Sequence, residues 1–350
     1  MKEKAFRGFC TRRNLDEKTI RAHIRVIRKF EEFLSNKREN RNPSNATAGD
    51  LQSFVSSLMK KSENTVENFL GILRYSRFVG NRAVEVRLLE LLDGSEVLEK
   101  ISEIVRVTAG ENKQKGVFRG IELPPLGTSS KDKPEITRKV MERLESELGE
   151  PTCREALLSG PHAEAKEYFL QERKDFLVSK NIDDFLEKRH KEYVAELEKH
   201  MKEKTLYFTQ EIDKNVLEYV RRTPTCQNGV RKGDVIYVTK IPYMAQKYLH
   251  ETDPKMKRYY YCHCPWVRES IISGVEISPN FCYCSAGFEK RPCDVVFDQP
   301  VKADVVQSVL RGDLVCEFAI HVPQKFLESQ TNREGNPAHR SSFPDGLFLV

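Results

Sequence analysis

The chain has 350 residues, 31% of them charged and 39% hydrophobic, enough for two or three domains with a sizeable core and abundant charged helix surface. No run approaches the eighteen or so apolar residues of a membrane span, and the opening MKEKAFRGFC lacks the apolar core of a signal peptide. The expected location is cytoplasmic with no membrane partner, and nucleotide-dependent and glycosidase chemistries have no support, since Gly-rich phosphate loops and paired-carboxylate motifs are absent.

The net charge of +6 is unevenly placed. Residues 1–82 hold 18 Lys or Arg against 9 Asp or Glu, a net of +9 that leaves −3 for the remainder. A basic segment on a slightly acidic chain suits a polyanion-binding module, because phosphate contacts supply most nonspecific nucleic-acid affinity. A solvated basic face would have the same composition.

Apolar residues recur at helical spacing from Asp16 to Leu34, through Ile20, Ile24, Ile27, Phe30 and Phe33/Leu34, with Arg21, Arg25, Arg28 and Lys29 on the other faces. Thr47 or Asp50 can cap a second helix whose stripe is Leu51, Phe54, Val55 and Leu58. Ser62 is the natural cap of a third, with Val66, Phe69, Leu70, Leu73 and Phe78 facing inward, and Glu85 to Leu92 forms a fourth. Four short helices with a basic rim make a compact bundle.

The segments RRNLDEKTIRAHIRVIRKFEEFLSNK, NATAGDLQSFVSSLMKK and SENTVENFLGILRYSRFVG resemble the SAM-like core-binding domain of tyrosine recombinases and phage integrases. Thr19 in the first helix, Phe30 and Phe33-Leu34 later in it, the AT-x-x-DL start of the second and Thr65 opening the third carry the likeness. It implies DNA contact, hence DNA integration or recombination vocabulary, with Arg12, Arg13, Arg21, Arg25, Arg28, Lys60 and Lys61 as candidates. A tyrosine recombinase also needs a second domain with two arginines, a His-x-x-Arg and a tyrosine nucleophile. None of the eight histidines has Arg three positions on, so strand exchange by this chain is not expected.

A helix from Val97 to Val107 leads into Ala109–Pro134, whose Gly, Pro, Ser and Lys content predicts a linker. Helical patterns follow over Ile136–Leu148, Cys153–Leu158, Ala163–Phe176, Ile182–Lys204 and Phe208–Val220. From Asn228 the character changes, and Asp234–Tyr243 is β-branched and aromatic, as a strand or extended loop would be. Tyr243 to His250 reads as a short helix. Asp294 onward reads as strand, turn, strand or helix, a Gly312-Asp313 turn and a strand from Leu314 to Val322.

Arg258 to Cys293 holds five of the nine cysteines: two C-x-C pairs, Cys262/Cys264 and Cys282/Cys284, then Cys293. In extended backbone residues i and i+2 project from one face, whereas on a helix they diverge by about 200°. Tyr259-Tyr260-Tyr261, Phe281 and Tyr283 favour extended backbone, so two thiol pairs could face one another as a tetrahedral thiolate site requires. The pairs are spaced C-x-C where the usual zinc ribbon has C-x-x-C. Zinc or an iron-sulfur cluster is one reading, buried or redox-active thiols the other. Reduced cytosolic thiols favour metal or catalytic use over disulfides. His263 would point away from the pair, and Cys10, Cys153 and Cys226 are scattered.

The aromatic-flanked cysteines, ISP-x-FCYC and above all Gly312-Asp313-Leu314-Val315-Cys316-Glu317-Phe318 resemble the 4-vinyl reductase domain and the thiazoline-carboxylate hydrolases. The resemblance implies a ligand or metal pocket in which Cys316 joins Cys262, Cys264, Cys282 or Cys284.

The expected fold class is multidomain α plus α/β: a four-helix SAM-like bundle (1–95), a helix and linker (96–134), a helical region (135–222), a cysteine-rich α+β domain (223–325) and a tail (326–350). The expected function is DNA binding joined to metal or small-molecule binding through Cys262, Cys264, Cys282, Cys284, Cys293 and Cys316. The alternative is a thiol-dependent hydrolase, with His263, Arg268 and Glu269 near its nucleophile, which requires a lowered thiol pKa beside a base and an oxyanion-stabilising donor.

Overall fold

The computed structural model describes residues 1–36, 41–161 and 165–328. At the N-terminal end α1 (Glu3–Thr11), α2 (Glu17–Ser35), α3 (Ala48–Lys60), α4 (Val66–Val79) and α5 (Arg82–Leu92) enclose one apolar core. Helix α1 joins the four-helix bundle as an addition to the sequence reading. Its Phe6 is fully buried, with its ring edge-on to Tyr75 at 5.0 Å.

Side-chain caps start these helices by satisfying amides that have no intrahelical acceptor. Asp16 accepts from the Thr19 amide, and Thr47 and Asp50 form a reciprocal capping box. The cap of α4 is Thr65, not Ser62 as the pattern suggests; Ser62 instead turns the chain with φ 56°. Helices α2 and α4 touch at Gly71, where a Cβ would come within 2.9 Å of the His23 ring and of Val26.

A second core runs from α6 (Val97–Ala109) through α7 (Glu111–Phe118), α8 (Pro134–Leu148), α9 (Glu150–Leu158), α10 (Leu170–Val178) and the start of α11 (Ile182–Glu203) into the C-terminal sheet. Part of the expected linker is therefore helix. In α7, Val117 is fully buried and the helix packs against α6 and α8. Beyond it the chain returns to the N-terminal bundle, where the Asn64 side chain donates to the Leu126 carbonyl at 2.8 Å.

The pattern over Phe208–Val220 divides into a hairpin, β1 (Leu206–Tyr207) and β2 (Gln210–Glu211), and α12 (Lys214–Arg222) capped by Asp213. A smaller apolar cluster joins the end of α11 to α12 through Tyr193, Leu197, Val216 and Val220.

The C-terminal part comprises β3 (Val230–Lys232), β4 (Val235–Thr239), α13 (Ala245–His250), α14 (Pro254–Tyr261), α15 (Ser270–Ser273), α16 (Tyr283–Val296), β5 (Ala303–Gln307), β6 (Glu317–His321) and α17 (Gln324–Glu328). The sheet is antiparallel in the order β3-β4-β6-β5, with Val238 opposite Phe318 and Ile236 opposite Ile320. Helix α16 packs on β5 and β6. Asp294–Phe297, expected to open a strand, instead closes α16. The tail expected beyond residue 328 lies outside the described residues. Among the described residues no helix is long and apolar enough to cross a membrane.

Candidate functional site

The basic face centres on α2. Arg21, Arg25 and Arg28 stand at i, i+4 and i+7, one exposed stripe about 100° round the helix from buried Ile20, Ile24 and Ile27. Arg28 pairs with Glu3 of α1 at 2.5 Å, and Lys29 pairs with Glu63 at 2.6 Å, two residues beyond Lys61. These pairs draw α1 and the end of α3 alongside α2.

The seven candidate cations differ in how committed they are. Arg21 lies 3.8 Å from Glu17, and Arg13 sits 3.7 Å over the Phe9 ring and donates to the Phe9 carbonyl. Arg12, Arg25 and Lys60 are exposed and have no acidic partner among the described residues, while Lys61, also exposed, lies in electrostatic range of Glu63. Surface pairs such as Arg21–Glu17 are worth at most about 1 kcal/mol, so an arriving phosphate can compete for these arginines.

Five of the six candidate thiols meet in the C-terminal part. Cys262 lies in electrostatic range of Cys264, Cys316 and Cys282, and Cys284 in range of Cys264 and Cys282. The backbone that brings them together corrects the sequence reading. Tyr259–Tyr261 are the last turn of α14, and Cys282 and Cys284 lie where a short 3-10 turn passes into α16. The second pair therefore diverges in direction, and only Cys262 and Cys264 follow in non-helical chain.

Cys293 lies nine residues beyond Cys284, half a turn round α16. Burial raises its thiol, with Glu172 of α10 among the acids that add to the rise, and no other cysteine contributes. Cys282 shares a hydrogen bond with the fully buried Ser308 at 2.9 Å. Among the described residues no group of three or more His, Cys, Asp or Glu side chains is arranged to hold a metal ion.

Charged groups surround these thiols. Lys240, just past β4, pairs with Glu289 of α16 at 3.1 Å, both side chains largely enclosed. Arg268 is 3% exposed, lies 4.1 Å over the Tyr243 ring and approaches Glu90 of α5 at 3.9 Å. Lys133, at the start of α8, is equally buried and lies 4.6 Å from the ring of Trp266. Asp93 follows α5, and burial raises its carboxyl to about 6 against the pull of Arg268, Lys133 and Lys240. Lys133, Lys240, Asp93 and Glu289 carry no motif in the sequence: their spacing is irregular, and only the fold gathers them.

Burial pushes the cluster thiols up, that of Cys264 to about 11 even though the amides of Trp266 and Val267 donate to its sulfur. A low-pKa nucleophile is not what these surroundings make. Burial also drives the His263 imidazole down to about 3, and its Nε2 hydrogen-bonds the Ile241 carbonyl. It is a satisfied core histidine.

Residues 4–82 match the family described as phage integrase, N-terminal SAM-like domain. The match covers α1 to α4 and stops as α5 begins, short of the cysteine-bearing part. No curated protein and no solved structure matches the chain.

Proposed function

We propose that this chain docks on duplex DNA through residues 4–82 and carries, in its cysteine-bearing part, a small-molecule site that makes it a regulator and not a strand-exchange enzyme. The carrying observation is that the segment matching the integrase SAM-like domain bears exposed basic residues, of which Arg12, Arg25 and Lys60 have no acidic partner among the described residues. Cations of this kind bind phosphate by releasing counterions, and the helix faces fix register without reading bases.

Fluorescence anisotropy of the full chain on labelled duplex, from about 50 to 200 mM salt, tests the docking. Affinity should fall steeply with salt, each phosphate contact adding about 0.9 to the log-log slope. The Arg25→Glu, Lys60→Glu double variant should weaken binding to all sequences alike and flatten that slope by about two. Absence of binding at the lowest salt removes the docking reading, and relaxation of supercoiled plasmid by the chain removes the regulatory one.

A further inference from the structure

Where the end of α8, the start of α9 and the chain leading to Cys282 meet, the surface folds inward to an open cleft of about 550 Å³. Small-molecule sites span roughly 300–1,000 Å³. Glu145, Glu150, Arg154, Ser278, Asn280 and Arg311 line the cleft. It borders the thiol segment: Asn280 stands two residues before Cys282, and Arg311 closes the short 3-10 turn capped by Ser308, the hydrogen-bond partner of Cys282.

Among the acids, two carboxylates converge on one nitrogen. Asn280 Nδ2 donates to Glu145 at 2.6 Å and to Glu150 at 3.3 Å, and the Ser278 hydroxyl also donates to Glu145. All these bonds use Oε1, so Oε2 of each acid has no hydrogen-bond partner among the described residues. Arg154 pairs with Glu150 and donates from Nε to Asn280 Oδ1 at 2.9 Å. One of the two charges is thereby balanced, and that of Glu145 has no cation paired with it among the described residues.

Arg311 is the opposite case. Its Nη1 donates to the Val305 carbonyl at 2.9 Å, and no acid pairs with it among the described residues. Nε and Nη2, which share the side-on edge of the guanidinium, are left over, and such an edge matches the two oxygens of a carboxylate. The cleft thus holds one unbalanced negative and one unbalanced positive charge, each with hydrogen-bonding capacity unspent. A ligand with a single charge leaves one of them unmatched, whereas one that carries an ammonium and a carboxylate meets both.

We propose that this cleft binds a free amino acid as its zwitterion, the carboxylate on the side-on edge of Arg311 and the ammonium on Glu145. This rests on the reading of the cysteine-bearing part as a small-molecule site and names the ligand's chemical class. It is independent of the DNA-docking half, which is read by DNA affinity.

Saturation-transfer NMR of the full-length chain makes the test, with the common L-amino acids, β-alanine and 4-aminobutyrate added singly at about 1 mM. At least one should receive saturation. Its N-acetyl and C-amide forms, which each keep one charge, should bind about tenfold more weakly, the loss of a charge-assisted hydrogen bond. In Arg311→Met the free amino acid and its amide should bind alike, and in Glu145→Gln the free amino acid and its N-acetyl form should. The Gln keeps an acceptor for Ser278 and Asn280, and emission from Trp266, the single tryptophan, reports whether either variant has kept its fold.

Silence from every amino acid overturns the proposal. Succinate and butylamine, run alongside, then separate its failure from that of the small-molecule reading, which survives if either receives saturation and falls if neither does. Capped forms that bind as tightly as the free amino acid overturn the zwitterion, and capping losses that persist in both folded variants overturn the assignment to Arg311 and Glu145. The wild-type comparison stands even where a variant fails to fold.

Discussion

His23 shows what burial does to one side chain. Its ring is 1% exposed between α2 and α4, Nε2 accepts from Arg74 at 3.2 Å, and Nδ1 has no partner among the described residues. Burial first, and the Arg74 charge second, lower its pKa from 6.5 to about 4, with Asp16 pulling weakly the other way. Between those values the unfolded chain binds a proton that the folded ring refuses. Stability therefore falls as pH drops through that window, by about 3 kcal/mol in total. Denaturant unfolding of the wild type and His23→Gln from pH 7.5 to 4 checks this, where Gln can still accept from Arg74. The wild type should lose stability more steeply, and parallel curves would show that the ring is not the titrating group. The sequence places His23 on a helix among apolar neighbours but gives no hint that Arg74, fifty-one residues on, lies against it.

At the scale of elements, local capping decided several cases that propensity did not. Tyr259-Tyr260-Tyr261 has a strand-like composition, yet Asp253 caps the Met256 amide and Pro254 stands at the first helical position, so the segment starts as a helix and continues as one. Ser278 and Pro279 do the same ahead of Cys282 and Cys284. Both signals are present in the sequence and outweigh a preference that spans only about 1 kcal/mol. Glycine decides how closely elements approach. Gly71→Ala should push α2 from α4, since the new methyl meets the His23 and Val26 side chains at 2.9 Å, and should cost about 1–3 kcal/mol. Thermal unfolding measures this; an unchanged midpoint would mean that the two helices give way freely. Gly287 is a comparable contact, its Cβ position only 2.7 Å from the Leu158 carbonyl, which bears on how α16 seats against α9.

Across the whole molecule, one side chain ties distant segments together. Trp266 is 1% exposed, its Nε1 donates to the Gly94 carbonyl at 2.7 Å, and its own carbonyl accepts from Thr137 at 3.1 Å. The chain between α5 and α6, the start of α8 and the cysteine segment are thereby joined, with Arg268 and Glu90 alongside. Trp266→Phe keeps an aromatic ring but leaves the Gly94 carbonyl without its donor, and should lower the unfolding free energy by about 2 kcal/mol. DNA affinity should be unchanged, because the basic face lies on α1 to α3. Urea unfolding by circular dichroism reads the first, and a loss below about 0.5 kcal/mol would reduce Trp266 to a surface-like contributor.

The sequence by itself determined the N-terminal bundle, its basic outer stripe, most helices and the presence of a clustered thiol segment. Those features are written in local periods, caps and composition, where neighbours along the chain are also neighbours in space. Only the tertiary structure decided that Cys316 meets the C-x-C pairs, that Cys293 turns away, and that Lys133, Lys240, Arg268 and Asp93 converge. These residues come from turns and helix ends up to more than two hundred positions apart, and no periodicity carries such a meeting. Their convergence follows from burial of the apolar faces that flank them, so the packing of Trp266 and Phe318 brings charged groups together that are unrelated along the chain.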